Sequence, residues 1–520
     1  MKKILVLLIC ILTLLALASC GNKVCQHRDA DDNSLCDKCG EGYTDGKDKG
    51  ECQHIYNSSV TKEPTCTESG EKTYSCSKCG YSYNVELPAA HKMENGSCTK
   101  CDYTLIPTEG IIYDISADGT YAMVKGYEGD ETDIVIANEY EGLPVTSIFE
   151  NAFQGTYITS VIIPDGVTSI GENAFSDCTS LTSVTIGNGV ISIGEDAFRE
   201  CTSLTSVYIT DIANWCGIAF GCEFANPVYY AENLYLNGEL VTELVIPDSV
   251  ASIGDFAFCG CTSLTGVTIP DGVNSIGLGA FYGCTSLTSI KVDANNTAYK
   301  DIDGNLYSKD GKTLIQYALG KTDESLTIPD GVVSIDVAAF AECTSLTSVT
   351  IPDGVTSIGY MAFYECTSLT SVTIGDSVTS IGDLAFSDCS SLTSVTIGSN
   401  VTSIGSSAFI GCSSLTSVTI SDSVISIGDG AFYKCTSLTS VTIPDSVTSI
   451  GEGAFYHCTS LTSVSIGKGV TSIGEAAFLG CSSLTSIKYK GTEEQWKAVT
   501  KGFDWKIFSE DCEITYNYTE

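Results

Sequence analysis

Nine cysteines and three of the chain's four histidines crowd into the stretch from Cys25 to Cys101, and their spacing is that of metal ligands. Three Cys-x-x-Cys pairs recur, Cys36/Cys39, Cys76/Cys79 and Cys98/Cys101, the first two followed directly by Gly40 and Gly80. Such a tight turn points two thiolates at one ion, and glycine allows the left-handed backbone the turn needs. A Cys-x-His pair completes a tetrahedral site, so Cys25, His27, Cys36 and Cys39 make a full ligand set for one structural zinc. Further along, the ligands exceed a single site. Cys52, His54, Cys76 and Cys79 form one grouping and Cys66, His91, Cys98 and Cys101 another, with the pairing open. Disulfides are the competing reading, since the segment has too little apolar content to bury a core and needs staples of some kind. The histidines favour metal, because a disulfide has no use for them. Asp29, Asp31 and Asp32 lack the glycine and distal glutamate of a calcium loop and read as solvated charge.

What precedes these ligands is a leader. Met1-Lys2-Lys3 is followed by an apolar run from Ile4 to Ala18, shorter than the about 20 residues a spanning helix requires. Leu17-Ala18-Ser19-Cys20 resembles the bacterial lipobox, and the resemblance implies cleavage before Cys20 with lipid carried on its sulfur. Two or more acyl chains anchor a protein stably, so the expectation is a lipoprotein on the extracellular face of the bacterial cell membrane.

From Thr146 onward one unit recurs. Cysteines 343, 366, 389, 412, 435, 458 and 481 stand 23 residues apart, as do the pairs 178/201 and 261/284. A fixed period in this range marks a solenoid, whose units bury their apolar faces only against their neighbours. Within one unit, Leu369, Val372 and Ile374 are spaced to point inward along a short strand, with Ser371 and Thr373 outward. Turn residues follow, such as Pro164-Asp165-Gly166 and Pro444-Asp445-Ser446. Val378 and Ile381 then return to the core, and Ala385-Phe386 is predicted to form a short helical turn on the convex side.

The cysteine start, the L-x-x-V-x-I strand and the I-G-x-x-A-F segment resemble the BspA-like leucine-rich-repeat family of bacterial surface proteins across nearly all of 110–520. The expected fold is an α/β leucine-rich-repeat solenoid of 23-residue coils, with a parallel β-sheet and short helical turns, preceded by a small zinc-ribbon-like Cys/His region. The predicted organisation is a signal peptide over 1–19, a Cys/His-rich segment over 20–104 and an N-terminal β cap over 105–145. The solenoid then runs over 146–489 and a C-terminal cap over 490–520. Insertions near 209–243 and 291–325 are predicted to loop out without ending the stack; the second contains a hairpin by its Asp303-Gly304 and Asp310-Gly311 turns. The repeat cysteines read as a buried thiol column.

No serine has a partnered histidine and acid, His457 falls at a variable repeat position, and phosphate loops and nucleotide fingerprints are missing. The reading is therefore of a protein that is not an enzyme. The candidate binding surface is a strip of outward hydroxyls: Ser348 and Thr350, Ser371 and Thr373, Ser394 and Thr396, Ser417 and Thr419, Ser440 and Thr442, Ser463 and Ser465. With 64 acidic against 26 basic side chains, a formal charge of −38, nucleic acid and anionic membranes are disfavoured as partners. The family resemblance implies an adhesin-like partner, an extracellular or host-surface protein; a glycan on the hydroxyl strip, or a purely structural stalk, are the alternatives. The membrane is met only through the lipid anchor.

Two outcomes follow from the N-terminal residues. Cys20→Ala should abolish metabolic labelling with an alkynyl fatty acid and release the protein from the membrane fraction. Elemental analysis of the purified protein should find zinc bound, with its loss on mutating Cys36 and Cys39 to serine; disulfide-linked peptides over 25–101 and no zinc would instead support the stapled reading.

Overall fold

The computed structural model describes residues 106–505 and 512–518, together with the strands Tyr56–Lys62, Gly70–Cys76, Ser82–Leu87, Met93–Glu94 and Ser97–Cys98. The chain divides into two compact units, Met1–Leu105 and Ile106–Glu520. In the first, Tyr56–Lys62, Gly70–Cys76 and Ser82–Leu87 form an antiparallel sheet and Met93–Glu94 pairs with Ser97–Cys98.

The second unit is a parallel β-solenoid. Each coil contributes a strand of three or four residues such as Ser371–Ile374, with Val372 and Ile374 buried and Ser371 and Thr373 exposed. A turn then leads to a two-residue strand such as Ser380–Ile381, again with isoleucine inward. Alternation along an extended chain sends every second side chain to the core. Ala385, Phe386, Cys389 and Leu392 close the coil and are fully buried. The register is residue for residue across 23 positions: Ser348↔Ser371↔Ser394↔Ser417 and Ser380↔Ser403↔Ser426.

The Ala-Phe segment differs from the expected helical turn. Ala385, Ser387 and Cys389 donate to carbonyls three residues back within the coil. The alternate amides of Leu384, Phe386 and Asp388 instead donate to Ser406, Ala408 and Ile410 in the next coil. Leu384 and Asp388 have φ of 56° and 55°, and a left-handed residue on each side of Phe386 prevents helical propagation. The segment is a third ladder between coils, not a helix lying over them.

Side chains stack as the backbone does. Phe340, Phe363, Phe386, Phe409, Phe432 and Phe455 form one column with ring centroids 4.7 to 5.4 Å apart and interplanar angles from 2° to 10°. The column ends where Trp505 meets Phe478 edge-on. The helix Glu493–Ala498, started by a Thr492/Gln495 capping box, buries Trp496 beside it. Glycine after the two-residue strand is required by the close approach of coils. A Cβ on Gly405 would lie 2.5 Å from the carbonyl carbon of Gly382.

Neither insertion simply loops out. In the first, Asp211 caps the helix Ile212–Cys216, and buried Trp215 donates its indole N–H to the Ala257 carbonyl at 2.7 Å. The hairpin Tyr299–Ile302/Asn305–Ser308 lies inside the stack, with Leu306 packed into one core cluster and Tyr307 into the next. Both parallel ladders stop there. The Ile276 amide donates to the Tyr299 hydroxyl at 2.9 Å in place of a neighbouring strand. Between the two sides lies a cavity of about 240 Å³ lined by Gly277–Phe281, Leu306, Ile315, Gln316, Asp336 and Val337.

Phe409→Ala in the middle of the column should lower the unfolding free energy by about 3–5 kcal/mol in urea titrations, because the ring is fully buried and its neighbours cannot close the gap. Native-state hydrogen exchange should find the Phe386 amide, bonded to Ala408, far better protected than that of Phe281, which makes no bond to a following coil.

Candidate binding face

The outward files of the longer strands are the most regular surface of the solenoid. Thr350, Thr373, Thr396 and Thr419 stand in register beside Ser348, Ser371, Ser394 and Ser417. Ser440 and Thr442 resume the pattern with Ser463 and Ser465 after an interruption of the ladder between Thr419 and Ser440. Ser371, Thr373, Ser394, Thr396, Ser417, Thr419, Ser440 and Thr442 are exposed, and Ser348, Ser463 and Ser465 are half-buried.

The neighbouring threonine in each coil does a different job. The Thr370 amide and hydroxyl both donate to the Thr347 carbonyl, at 2.8 and 2.9 Å, and Thr393 does the same to Thr370. Those hydroxyls are committed to the stack. Among the described residues, the hydroxyls of Ser371 and Thr373 and of their counterparts from Ser348/Thr350 to Ser463/Ser465 make no hydrogen bond, so their donors and acceptors are open to a partner.

The thiol column is internal. Cys366 Sγ donates to the Phe340 carbonyl of the preceding coil at 3.2 Å, and Cys389, Cys412, Cys435, Cys458 and Cys481 repeat the contact at 3.1 to 3.2 Å. All are free thiols and buried. Burial pushes the pKa up at Cys366, Cys389, Cys412 and Cys435, and to about 11 at Cys261; in the helix of the first insertion it raises Cys216 to about 12, because a thiolate in an apolar site loses its hydration. His457 sits at a left-handed turn position with its ring centroid 4.4 Å from that of Tyr456, in a T-shaped contact. The expected anchor residue Cys20 and the ligand candidates Cys25, His27, Cys36, Cys39, Cys52, His54, Cys66, Cys79, His91 and Cys101 lie outside the described residues. Cys76 and Cys98 are on strands of the first unit.

Two features of the surface were missed in reading the repeats. At the outward position that threonine fills in the C-terminal coils, the N-terminal sheet carries Val135, Ile162, Thr185, Tyr208 and Tyr235 in one register. The Tyr208 and Tyr235 rings stack at 4.9 Å. The signal was Ser-Val-Tyr-Ile at 206–209 in place of Ser-Val-Thr-Ile. The second is Glu342, whose carboxylate hydrogen-bonds Tyr282 across the hairpin junction and lies against Gly283. Burial, with Glu365 nearby, raises its pKa above the usual carboxylate range.

A family model described as the BspA type leucine-rich repeat region, in six copies, matches residues 146–239, 230–310, 316–424 and 402–499. The chain belongs to this family. Among solved structures, it is 30% identical to a leucine-rich cell surface protein from Faecalibacterium prausnitzii, covering 76% of this chain and 97% of that one, with a TM-score of 0.43. A leucine-rich repeat protein from Bacteroides ovatus is 29% identical over 80% of this chain and 100% of its own length, with a TM-score of 0.41. One from Eubacterium ventriosum, 24% identical over 78% and 95% of the two chains, shares the fold with a TM-score of 0.51. A search of curated proteins found no match.

Two measurements check these assignments. The repeat thiols should resist a disulfide-exchange reagent at about pH 8 in the folded protein and react in full on denaturation; intercoil disulfides in peptide mass spectra would refute the thiol column. Because the folded pKa of Glu342 is raised, its contribution is complete below the unfolded carboxylate value, about 4.3, and is lost as pH rises through the folded value. Glu342→Gln should therefore gain stability over the parent protein as pH is raised from about 4 to about 7.

Proposed function

We propose that this protein is a non-catalytic, adhesin-like module of the cell surface, held at the membrane through Cys20, that binds an extracellular or host-surface protein along the strand face of its solenoid. The observation that carries this reading is the pair of aligned, uncommitted hydroxyl files from Ser348/Thr350 to Ser463/Ser465. Their counterparts one position earlier, such as Thr370, are all tied into the backbone. A ladder of donors and acceptors at fixed spacing on a rigid sheet suits an extended protein partner, whose ordering cost falls when the receptor is already organised. Leucine-rich repeats commonly bind through this side, which supports the reading by analogy. The surface description of the Faecalibacterium protein is in keeping with it. The acidic balance, 64 Asp and Glu against 26 Lys and Arg, favours a neutral or basic partner.

The test is binding of the whole processed chain to a panel of extracellular-matrix and cell-surface proteins. Saturable binding is expected, and the double variant Thr373→Arg/Thr396→Arg should weaken it by about tenfold or more while leaving the thermal midpoint unchanged. Binding that survives the double variant, or a panel with no saturable partner, overturns the proposal.

A further inference from the structure

The N-terminal sheet carries a site of a different kind on the same face. Its outward file runs Val135, Ile162, Thr185, Tyr208, Tyr235, each residue opposite the next across hydrogen-bonded strands. Tyr208 and Tyr235 lie face to face, 4.9 Å between centroids and 29° between planes, so strand spacing itself sets the stack. On one side the pair is closed by Leu240, the cross-strand neighbour of Tyr235. On the other side the stack stops. Thr185 and Ile162 have smaller, half-buried side chains, so beside the face of the Tyr208 ring turned away from Tyr235 the stack leaves a slot one strand spacing, about 4.8 Å, wide at Thr185.

Both flanks of that slot are polar. Ser183 and Ser160 lie two residues before Thr185 and Ile162, on the same face. Asp133 extends that row, with one carboxylate oxygen taking Ser160 at 2.8 Å and Thr159 at 3.0 Å and the other left open. At the far end of the strands, the Thr210 hydroxyl donates to the side-chain Oδ1 of exposed Asn188 at 2.9 Å, and the Asn188 Nδ2 makes no hydrogen bond among the described residues.

An aromatic plane edged by hydroxyls, a carboxylate and an amide matches the chemistry of a pyranose. One ring face presents C–H groups to the aromatic plane, while equatorial hydroxyls radiate in the ring plane toward donors and acceptors on either side. We infer that Tyr208 and the slot over Thr185 and Ile162 form a binding subsite for a neutral glycan. One sugar ring stacks on Tyr208 above Thr185, and the chain extends from its edges in the ring plane, toward Ser183 on one side and Asn188 on the other. Asp133 and the overall charge of −38 select against sialylated or sulfated chains. This site is separate from the hydroxyl files of the C-terminal coils and does not depend on the function proposed for them.

The test uses the whole processed chain on an array of neutral gluco-, xylo-, manno- and galacto-oligosaccharides beside sialylated and sulfated ones, followed by titration of the best binder. Binding of a neutral oligosaccharide is expected, weakened at least tenfold by Tyr208→Ala and retained by Tyr208→Phe. Thr185→Tyr should block it by adding a third ring to the stack, with the thermal midpoint kept. Thr373→Arg/Thr396→Arg should leave it unchanged. An array with no neutral binder, sugar binding indifferent to Tyr208→Ala and Thr185→Tyr, or loss of only a protein ligand in those variants overturns the inference; the last would assign the slot to a protein side chain.

Discussion

Backbone hydrogen bonding holds successive coils at the separation of parallel strands, about 4.8 Å, and the rest of the solenoid is adjusted to that distance. Phenylalanine rings one coil apart fall at 4.7 to 5.4 Å and nearly parallel, a separation at which offset rings attract. Between regular coils glycine follows the two-residue strand, as at Gly382, Gly405 and Gly428, because no Cβ fits between backbones so close. The cysteine at the coil start is small enough for the core, and from Cys366 to Cys481 its thiol reaches the phenylalanine carbonyl of the coil before, giving that oxygen a second donor. Each is a local choice, repeated until the contacts add up to a core without a globular centre.

The same constraint sorts surface residues into files. A residue at a given repeat position meets its counterparts in every coil, so a uniform file such as Thr347, Thr370 and Thr393 becomes a hydrogen-bonded rail. Where a file is uniform and bonded, it serves the stack. Where it is uniform and unbonded, as at Ser371 and Thr373, it offers a periodic surface. Where it departs from the repeat, as at Tyr208 and Tyr235, it marks a local feature that stacking alone does not require.

Faults in the ladder are also informative. The hairpin after Ser289–Val292 divides the buried core in two and leaves the Phe281 amide without the coil partner its counterparts have. The junction is held instead by substitutes: the Tyr299 hydroxyl on the Ile276 amide, the Gly304 carbonyl on the Ile290 amide, and Tyr282 with Glu342. Apolar packing of Tyr282 and Cys259 on Ala338 and Ala341 completes the junction.

Period, strand positions, inward and outward faces and family membership were all legible in the sequence, because a solenoid's long-range contacts repeat one local rule. The 23-residue spacing of Cys343 to Cys481 already implied that residue n meets residue n + 23. The hydroxyl strip was legible for the same reason. What the sequence left undecided depends on contacts outside that rule. Left-handed residues beside Phe386 turned an expected helical turn into a third ladder, since the amide partners come from the next coil. The hairpin's place inside the stack follows from Leu306 and Tyr307 facing opposite cores, which its turn residues alone cannot express. Tyr208 and Tyr235 are 27 residues apart, off the regular period, and only the registered pairing of their strands makes them one stacked pair with an open face.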